Sequence, residues 1–336
     1  MELFGIAQHT WMWQVLLLVA VVLVILAIVN HTAARRAERQ NPPKGSFIEV
    51  DGVRLHYSDR GTGRPVVLIH GNLVTGDDYN TSGVAERLLG TCRVILFDRP
   101  GYGYSGRPRW RPWGPMGQAE LLHKVLRELG VEQPVLVGHS WGTLVALAYA
   151  IRHRFDTAGL VLLSGYYFPT FRLDALMVAP GAVPVLGDIL RYTISPIFGW
   201  MTMPITKLMM FAPKPVTARF DAEYCTAMAL RPIQIRATCV DGALMVPSTI
   251  NLRTHYGELL LPVTIMAGDG DNVVSHRMAE RLHSAIPGST LRIVQGAGHM
   301  VHHVASERVA DAILAVAQTS PEQTRGGASR SISPAL

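Results

Sequence analysis

The chain has 336 residues, of which 49% are hydrophobic and only 17% charged, and carries a formal net charge of +6. That length can bury a large core. The positive charge is shared among a patch behind an N-terminal apolar run, the body and a polar tail, which argues against a nucleic-acid footprint. Cys92, Cys225 and Cys239 are an odd set without paired spacing, so neither a disulfide framework nor a zinc site can be read from them.

Trp11 to Val29 reads WMWQVLLLVAVVLVILAIV, with Gln14 its one clearly polar member. A helix of this length reaches about 28 Å, close to the roughly 30 Å hydrocarbon core of a bilayer. No Asp, Glu, Lys or Arg stands between Glu2 and Arg35. Trp11 and Trp13 mark one interface, and Arg35, Arg36, Arg39 and Lys44 follow the other. A cleaved signal peptide needs a positive n-region, and here only Glu2 precedes the apolar run. The expectation is a retained single-pass anchor in contact with the bilayer through residues 11–29. The basic flank places the body that follows in the cytoplasm.

Asn41-Pro42-Pro43-Lys44-Gly45 reads as a linker, and Phe47–Val50, Asp51-Gly52 and Val53–Tyr57 as a hairpin. Strands follow at Val66–Ile69, Arg93–Phe97, Val135–Val137, Ala158–Leu163, Leu261–Ala267 and Thr290–Val294. Helical patterns lie between them at Val84–Leu89 and Gln118–Leu129, and Ala305–Ala317 closes the set. The alternation predicts an α/β fold: a mostly parallel sheet with helices on both faces and the hairpin as an antiparallel edge. From Tyr166 to Glu258 no strand is evident. The segment holds seven methionines (177, 201, 203, 209, 210, 228, 245), and only Asp188 and Arg191 are charged between Ala175 and Thr206. It reads as a helical cap over the pocket, its methionines an adaptable apolar core that can also serve an acyl pocket. Expected divisions are an anchor and linker at 1–46, a core at 47–165 and 259–317, the cap at 166–258, and a disordered tail at 318–336.

Val135-Leu-Val-Gly-His-Ser-Trp-Gly142 joins an apolar strand to a helix through Gly-x-Ser-x-Gly, the context of a nucleophile elbow. A serine hydroxyl needs a base, and the base an orienting acid. Gly268-Asp269-Gly270-Asp271 follows one late strand and Gly296-Ala297-Gly298-His299 follows the next. The order Ser140, Asp271, His299 is that expected of a hydrolase elbow. Trp141, after the nucleophile, and Asn72, in the His70-Gly71-Asn72 turn, can offer backbone N–H groups to an oxyanion.

From Phe47 to Ala317 the sequence resembles the α/β-hydrolase superfamily, in its branch with a helical cap after the sixth strand. The matching motifs are His70-Gly-Asn72, Asp98-Arg-Pro-Gly-Tyr-Gly-Tyr-Ser105, Gly138-His-Ser-Trp-Gly142, and the two loops bearing Asp271 and His299. The resemblance implies Ser140 as nucleophile, His299 as general base, Asp271 as orienting acid, and Asn72 and Trp141 as oxyanion donors. Asp269 is the rival acid. Haloalkane dehalogenases and epoxide hydrolases share HGN and GH-x-WG but use an aspartate nucleophile, and Ser140 stands in its place. Acyl transfer to serine is therefore expected, with no cofactor and no metal.

Gly101-Tyr-Gly-Tyr-Ser-Gly106 fits GxGxxG, but the prolines of Arg107-Pro-Arg-Trp-Arg-Pro-Trp113 oppose the helix a dinucleotide site requires. That stretch reads as a solvated loop at the pocket rim. His299, His302 and His303 have helical spacing, yet the sequence shows no carboxylate or thiol to complete a metal set. His70 and His139 read as packing and loop-fixing residues. The expected activity is a membrane-anchored serine esterase for a small-molecule ester with an apolar acyl part. The alternatives are a proline-iminopeptidase-like amide hydrolase, with Asp221 or Glu223 receiving the substrate amine, a cofactor-free haloperoxidase, and a silent binding protein of the same fold.

Overall fold

Short β-branched runs alternating with helix formers build a single eight-stranded sheet. A computed structural model describes residues 2–319, with side chains from Trp11 onward. Most of the tail expected at 318–336 therefore lies outside the described residues. Helix α1 (Glu2–Gln40) precedes strands β1 (Ser46–Val50), β2 (Val53–Arg60) and β3 (Arg64–Ile69). Helices α2 (Asp78–Thr81) and α3 (Val84–Leu88) lead to β4 (Cys92–Phe97), then α4 (Pro115–Glu128), β5 (Val135–His139), α5 (Gly142–Arg152) and β6 (Gly159–Leu163). After β6 the chain makes α6 (Leu173–Val178), α7 (Leu186–Tyr192), α8 (Ile194–Phe211), α9 (Ala218–Glu223), α10 (Thr226–Ala229) and α11 (Pro232–Leu252). It returns through β7 (Val263–Gly268), α12 (Arg277–Ala285), β8 (Thr290–Val294), α13 (Val301–Val304) and α14 (Ser306–Gln318).

The strand order is β1-β2-β4-β3-β5-β6-β7-β8. β1 pairs antiparallel with β2 and β2 with β4, while the remaining pairs are parallel. The predicted hairpin thus forms the antiparallel edge. Parallel register aligns Ile69 with Gly138, His139 with Leu163, and Gly268 with Val294. The loops leaving β3, β5, β7 and β8 consequently open at one edge of the sheet, where doubly wound sheets place their sites.

Alternation along each strand divides the core into two layers. Val67, Ile69, Leu136, Leu160 and Leu162 face α4, α5 and α12, meeting Leu121, Leu144 and Leu282. Val66, Leu68, Val137, Val161 and Leu163 face α3 and α14, meeting Leu88, Val309 and Ile313. Helix α4 starts three residues earlier than its apolar pattern suggests, because Gly114 and Pro115 make a natural helix start.

Helices α6–α11 fill the long interval between β6 and β7. Their methionines are divided: Met203, Met210 and Met228 are buried, whereas Met177, Met201 and Met209 point into the surroundings. A cap whose apolar excess serves only as an inner core does not describe this arrangement. Helix α1 also runs well past its apolar stretch, and its last turns pack on the body. Ala37 is buried, Glu38 pairs with Arg231 at 3.0 Å, and the Tyr104 hydroxyl donates to the carbonyls of Glu38 and Asn41.

Candidate active site

The turn between β5 and α5 fixes Ser140 by crowding. Ser140 sits at φ +50°, a left-handed conformation that non-glycine residues adopt rarely and at a cost. A Cβ on Gly138 would lie 2.7 Å from the Gly142 carbonyl oxygen, and one on Gly142 would lie 2.3 Å from that of Ile69. Only hydrogen fits at either place. The Ser140 N–H donates to the Leu163 carbonyl at 2.9 Å, tying the turn to β6.

Ser140 Oγ lies 2.9 Å from His299 Nε2, and His299 Nδ1 lies 2.9 Å from Asp271 Oδ2. Asp271 and His299 are buried, while Ser140 is half-buried at the open end of the relay. The second carboxylate oxygen of Asp271 accepts from the N–H groups of Val273 and Val274, both at 2.8 Å, so the acid is held on both oxygens. Asp269 points elsewhere. Its Oδ1 accepts from the Gly296 N–H and shapes the loop that carries His299.

Asn72 and Trp141 flank the serine, and neither backbone N–H has a hydrogen-bond partner among the described residues. The Asn72 side-chain oxygen is engaged twice: Oδ1 accepts from Arg99 Nη2 and from the Tyr102 hydroxyl, both at 2.8 Å. Arg99 also donates to the carbonyls of His70 and Gly71 and lies 4.5 Å from the Trp141 ring centroid. Its charge is met by Asp241 of α11, at 2.6 Å. The same carboxylate receives Arg107 at 2.7 Å, and the Asp241 carbonyl accepts the Trp141 indole N–H at 2.9 Å. The cap thus grips both residues that flank the serine.

Sequence reasoning assigns no role to Arg99, Tyr102 or Asp241, and it places Arg107 and Trp113 in a solvated loop, whereas both are buried and Arg107 is held by the Asp241 carboxylate. The available signal is a lone carboxylate in the apolar run Cys239-Val-Asp-Gly-Ala-Leu, because a buried charge requires a partner.

His70 is wholly buried. The Arg99 N–H donates to its Nε2 at 2.9 Å, and its Nδ1–H donates to the Gly71 carbonyl at 2.7 Å. Burial, reinforced by the Arg99 charge, lowers its pKa to about 3 and keeps the ring neutral. His139 donates from Nε2 to the His299 carbonyl at 3.1 Å, and burial holds its pKa well below the ordinary histidine value. The histidines after His299 do have a carboxylate beside them, contrary to the sequence reading. Asp78 accepts from His302 and His303, each at 2.7 Å, and its ligating atoms lie within 4.8 Å of those of His139 and His302. That proximity joins α2 to α13 and was invisible because Asp78 lies far away in sequence.

Of the two acids considered for binding a substrate amine, Asp221 pairs with Lys207 at 2.7 Å and Glu223 with Arg219 at 3.0 Å, both on the surface. A cavity of about 480 Å³ opens between the segment Gln40–Gly45, the loop Leu73–Asp78 and helices α9 and α10. Its walls do not include the triad residues.

The family model for the α/β hydrolase fold matches residues 64–306. An uncharacterized protein of Mycobacterium tuberculosis is 30% identical over 281 residues, covering 81% of this chain and 80% of that protein. Among solved structures, an esterase from Exiguobacterium antarcticum superposes with a TM-score of 0.68 at 21% identity, covering 82% of this chain and all of the esterase. A structure described as a membrane phospholipase A, a bacterial virulence factor, superposes with a TM-score of 0.62 at 20% identity, covering 94% of this chain and 99% of that one. The chain belongs to the α/β-hydrolase superfamily.

Proposed function

We propose that the protein is a membrane-anchored serine hydrolase that cleaves esters of an apolar acyl group through an acyl-enzyme. The observation that carries this reading is the continuous relay from Ser140 through His299 to Asp271, with both contacts at 2.9 Å. Ser140 Oγ attacks the ester carbonyl as His299 Nε2 accepts the hydroxyl proton. Asp271 holds the opposite N–H and stabilises the imidazolium. The oxyanion is received by the N–H groups of Asn72 and Trp141, which cost no reorganisation because the Arg99–Asp241 network already fixes their residues. Collapse expels the alcohol, which takes the proton from His299. Water, deprotonated by the same histidine, then releases the acid.

Membrane attachment rests on the apolar stretch of α1, which is long enough to span a bilayer and has no buried residue in the isolated chain. Arg35, Arg36 and Arg39 follow it and favour a cytoplasmic body. The neighbour described as a membrane phospholipase A supports a lipid acyl ester as the substrate class. The amide-hydrolase alternative loses support because Asp221 and Glu223 are already paired with Lys207 and Arg219.

Ser140→Ala is expected to lower turnover of p-nitrophenyl esters by about 10⁴-fold or more and to abolish labelling by a fluorophosphonate probe. Undiminished labelling of that variant overturns the assignment. Within an ester series, longer acyl chains are expected to react best.

A further inference from the structure

The outward face of the cap is as apolar as a protein interior. Leu176, Met177, Val185, Phe198, Trp200 and Met201 are all more than half exposed. No Asp, Glu, Lys or Arg occurs from Tyr192 to Thr206. Just before that stretch, Asp188 pairs with Arg191 at 2.9 Å and also with Arg109. Helix α8 buries Met203, Met210 and Phe211 on one side and exposes Ile197, Phe198, Met201, Ile205 and Leu208 on the other. A helix apolar all round belongs in a protein core or in lipid, and α8 has protein on one side only. Contiguous exposure of this kind marks an interaction or membrane surface.

The position of this face says what covers it. Asn30, one residue beyond the apolar span of α1, donates to the carbonyls of Tyr192 and Thr193 at 2.9 and 2.7 Å, at the junction of α7 and α8. Along α1 every side chain from Trp11 to Val22 is exposed, whereas Leu23, Leu26, Ala27 and Asn30 form a partly covered stripe. That stripe begins seven residues before Asn30, a rise of about 10 Å. The junction of α7 and α8 therefore lies at the mouth of the span, and the apolar face continues the lipid-facing surface of α1.

We infer that the outer face of α6, α7 and α8 is a membrane-docking surface, seated in the leaflet from which α1 emerges. The inference rests on α1 being a membrane span. The occupant is lipid because any protein covering this face would also have to occupy the bilayer beside α1. Docking brings to the leaflet the same helical segment whose α11 touches Trp141 and Arg99.

The test uses the full-length chain in nanodiscs sized for one copy. Phe198→Cys and Met201→Cys, each in a Cys225→Ser background, carry an environment-sensitive NBD label; Cys92 and Cys239 are buried. Glu128→Cys, at the far end of the sheet, is the control. Turnover of a short water-soluble ester checks that every labelled protein is folded. Docking predicts blue-shifted emission at 198 and 201 and quenching by doxyl-phosphatidylcholine several-fold stronger than at 128. Labels as wet as the one at 128 overturn the inference. Shielded labels that lipid nitroxides do not quench overturn it as well, because protein then covers the face. Extraction of membranes with alkaline carbonate tests the anchor separately. Release of the chain sinks the span itself, whereas retention with water-exposed cap labels sinks the docking alone.

Discussion

Asp241 is fully buried between two guanidinium groups, and its backbone carbonyl holds the Trp141 indole. Removing one member of a buried charge set costs about 3–5 kcal/mol, since the charges left behind are unpaired. Asp241→Ala is therefore expected to lower unfolding stability by about that amount, measured by urea titration in micelles. The variant should also lose more than about tenfold in kcat with little change in KM, because it loosens oxyanion donors that act mainly in the transition state. Unchanged kcat would show that the network only packs. His70 gives a pH dependence whose sign can be worked out. Its folded pKa of about 3 lies below the ordinary 6.5, so the unfolded chain binds the proton first as pH falls. Stability present above pH 6.5 is lost on acidification, by about 2 kcal/mol between pH 7.5 and 5. His70→Gln should flatten that part of the profile, and an unaltered slope would assign it to other groups. At this scale Ser140, Asp271 and His299 were legible in sequence because each follows a recognisable strand. The partnership of Arg99 with Asp241 was not, because 142 residues separate them and only the packing of α11 on the β4–α4 loop brings them together.

The strand–turn–helix of β5 and α5 is the most constrained local element. Gly142→Ala would drive a methyl group against the Ile69 and His70 carbonyl oxygens, neither of which is a flexible side chain. The expected cost is about 3 kcal/mol or more, read as a large fall in Tm or a failure to accumulate folded protein. A wild-type Tm would mean that β3 and α5 can separate, contrary to the crowding described here. Strands were readable to within a few residues because the central ones are covered on both faces and read as continuous apolar runs. The last helix was read to within one residue at each end: expected at Ala305–Ala317, it runs Ser306–Gln318, with Ala305 leaving helical geometry and dividing α13 from α14. Cap helices were the hardest to read. Met201 and Met203 are two residues apart in one helix, one facing outward and the other inward, and an all-round apolar pattern contains no signal to distinguish them.

Across the whole molecule, the sequence suggested an anchor, a linker and a separate body, whereas the structure runs helix α1 into the body. Helix α1 continues unbroken from Glu2 to Gln40, and Asn30, Ala37, Glu38 and Asn41 all engage the cap or core. The segment Pro42–Gly45 is thus no free joint, and the Gly45 N–H is itself bonded to His56 at 3.1 Å. With α1 spanning a bilayer, as proposed above, a body without a swivel keeps one height and one heading above it. For the lipid-dissolved ester of that proposal, encounters become a search in two dimensions, and the relevant concentration is surface density. At a fixed enzyme-to-lipid ratio, diluting the ester with an inert lipid should slow turnover, while adding buffer to the same vesicles should leave the rate per enzyme unchanged.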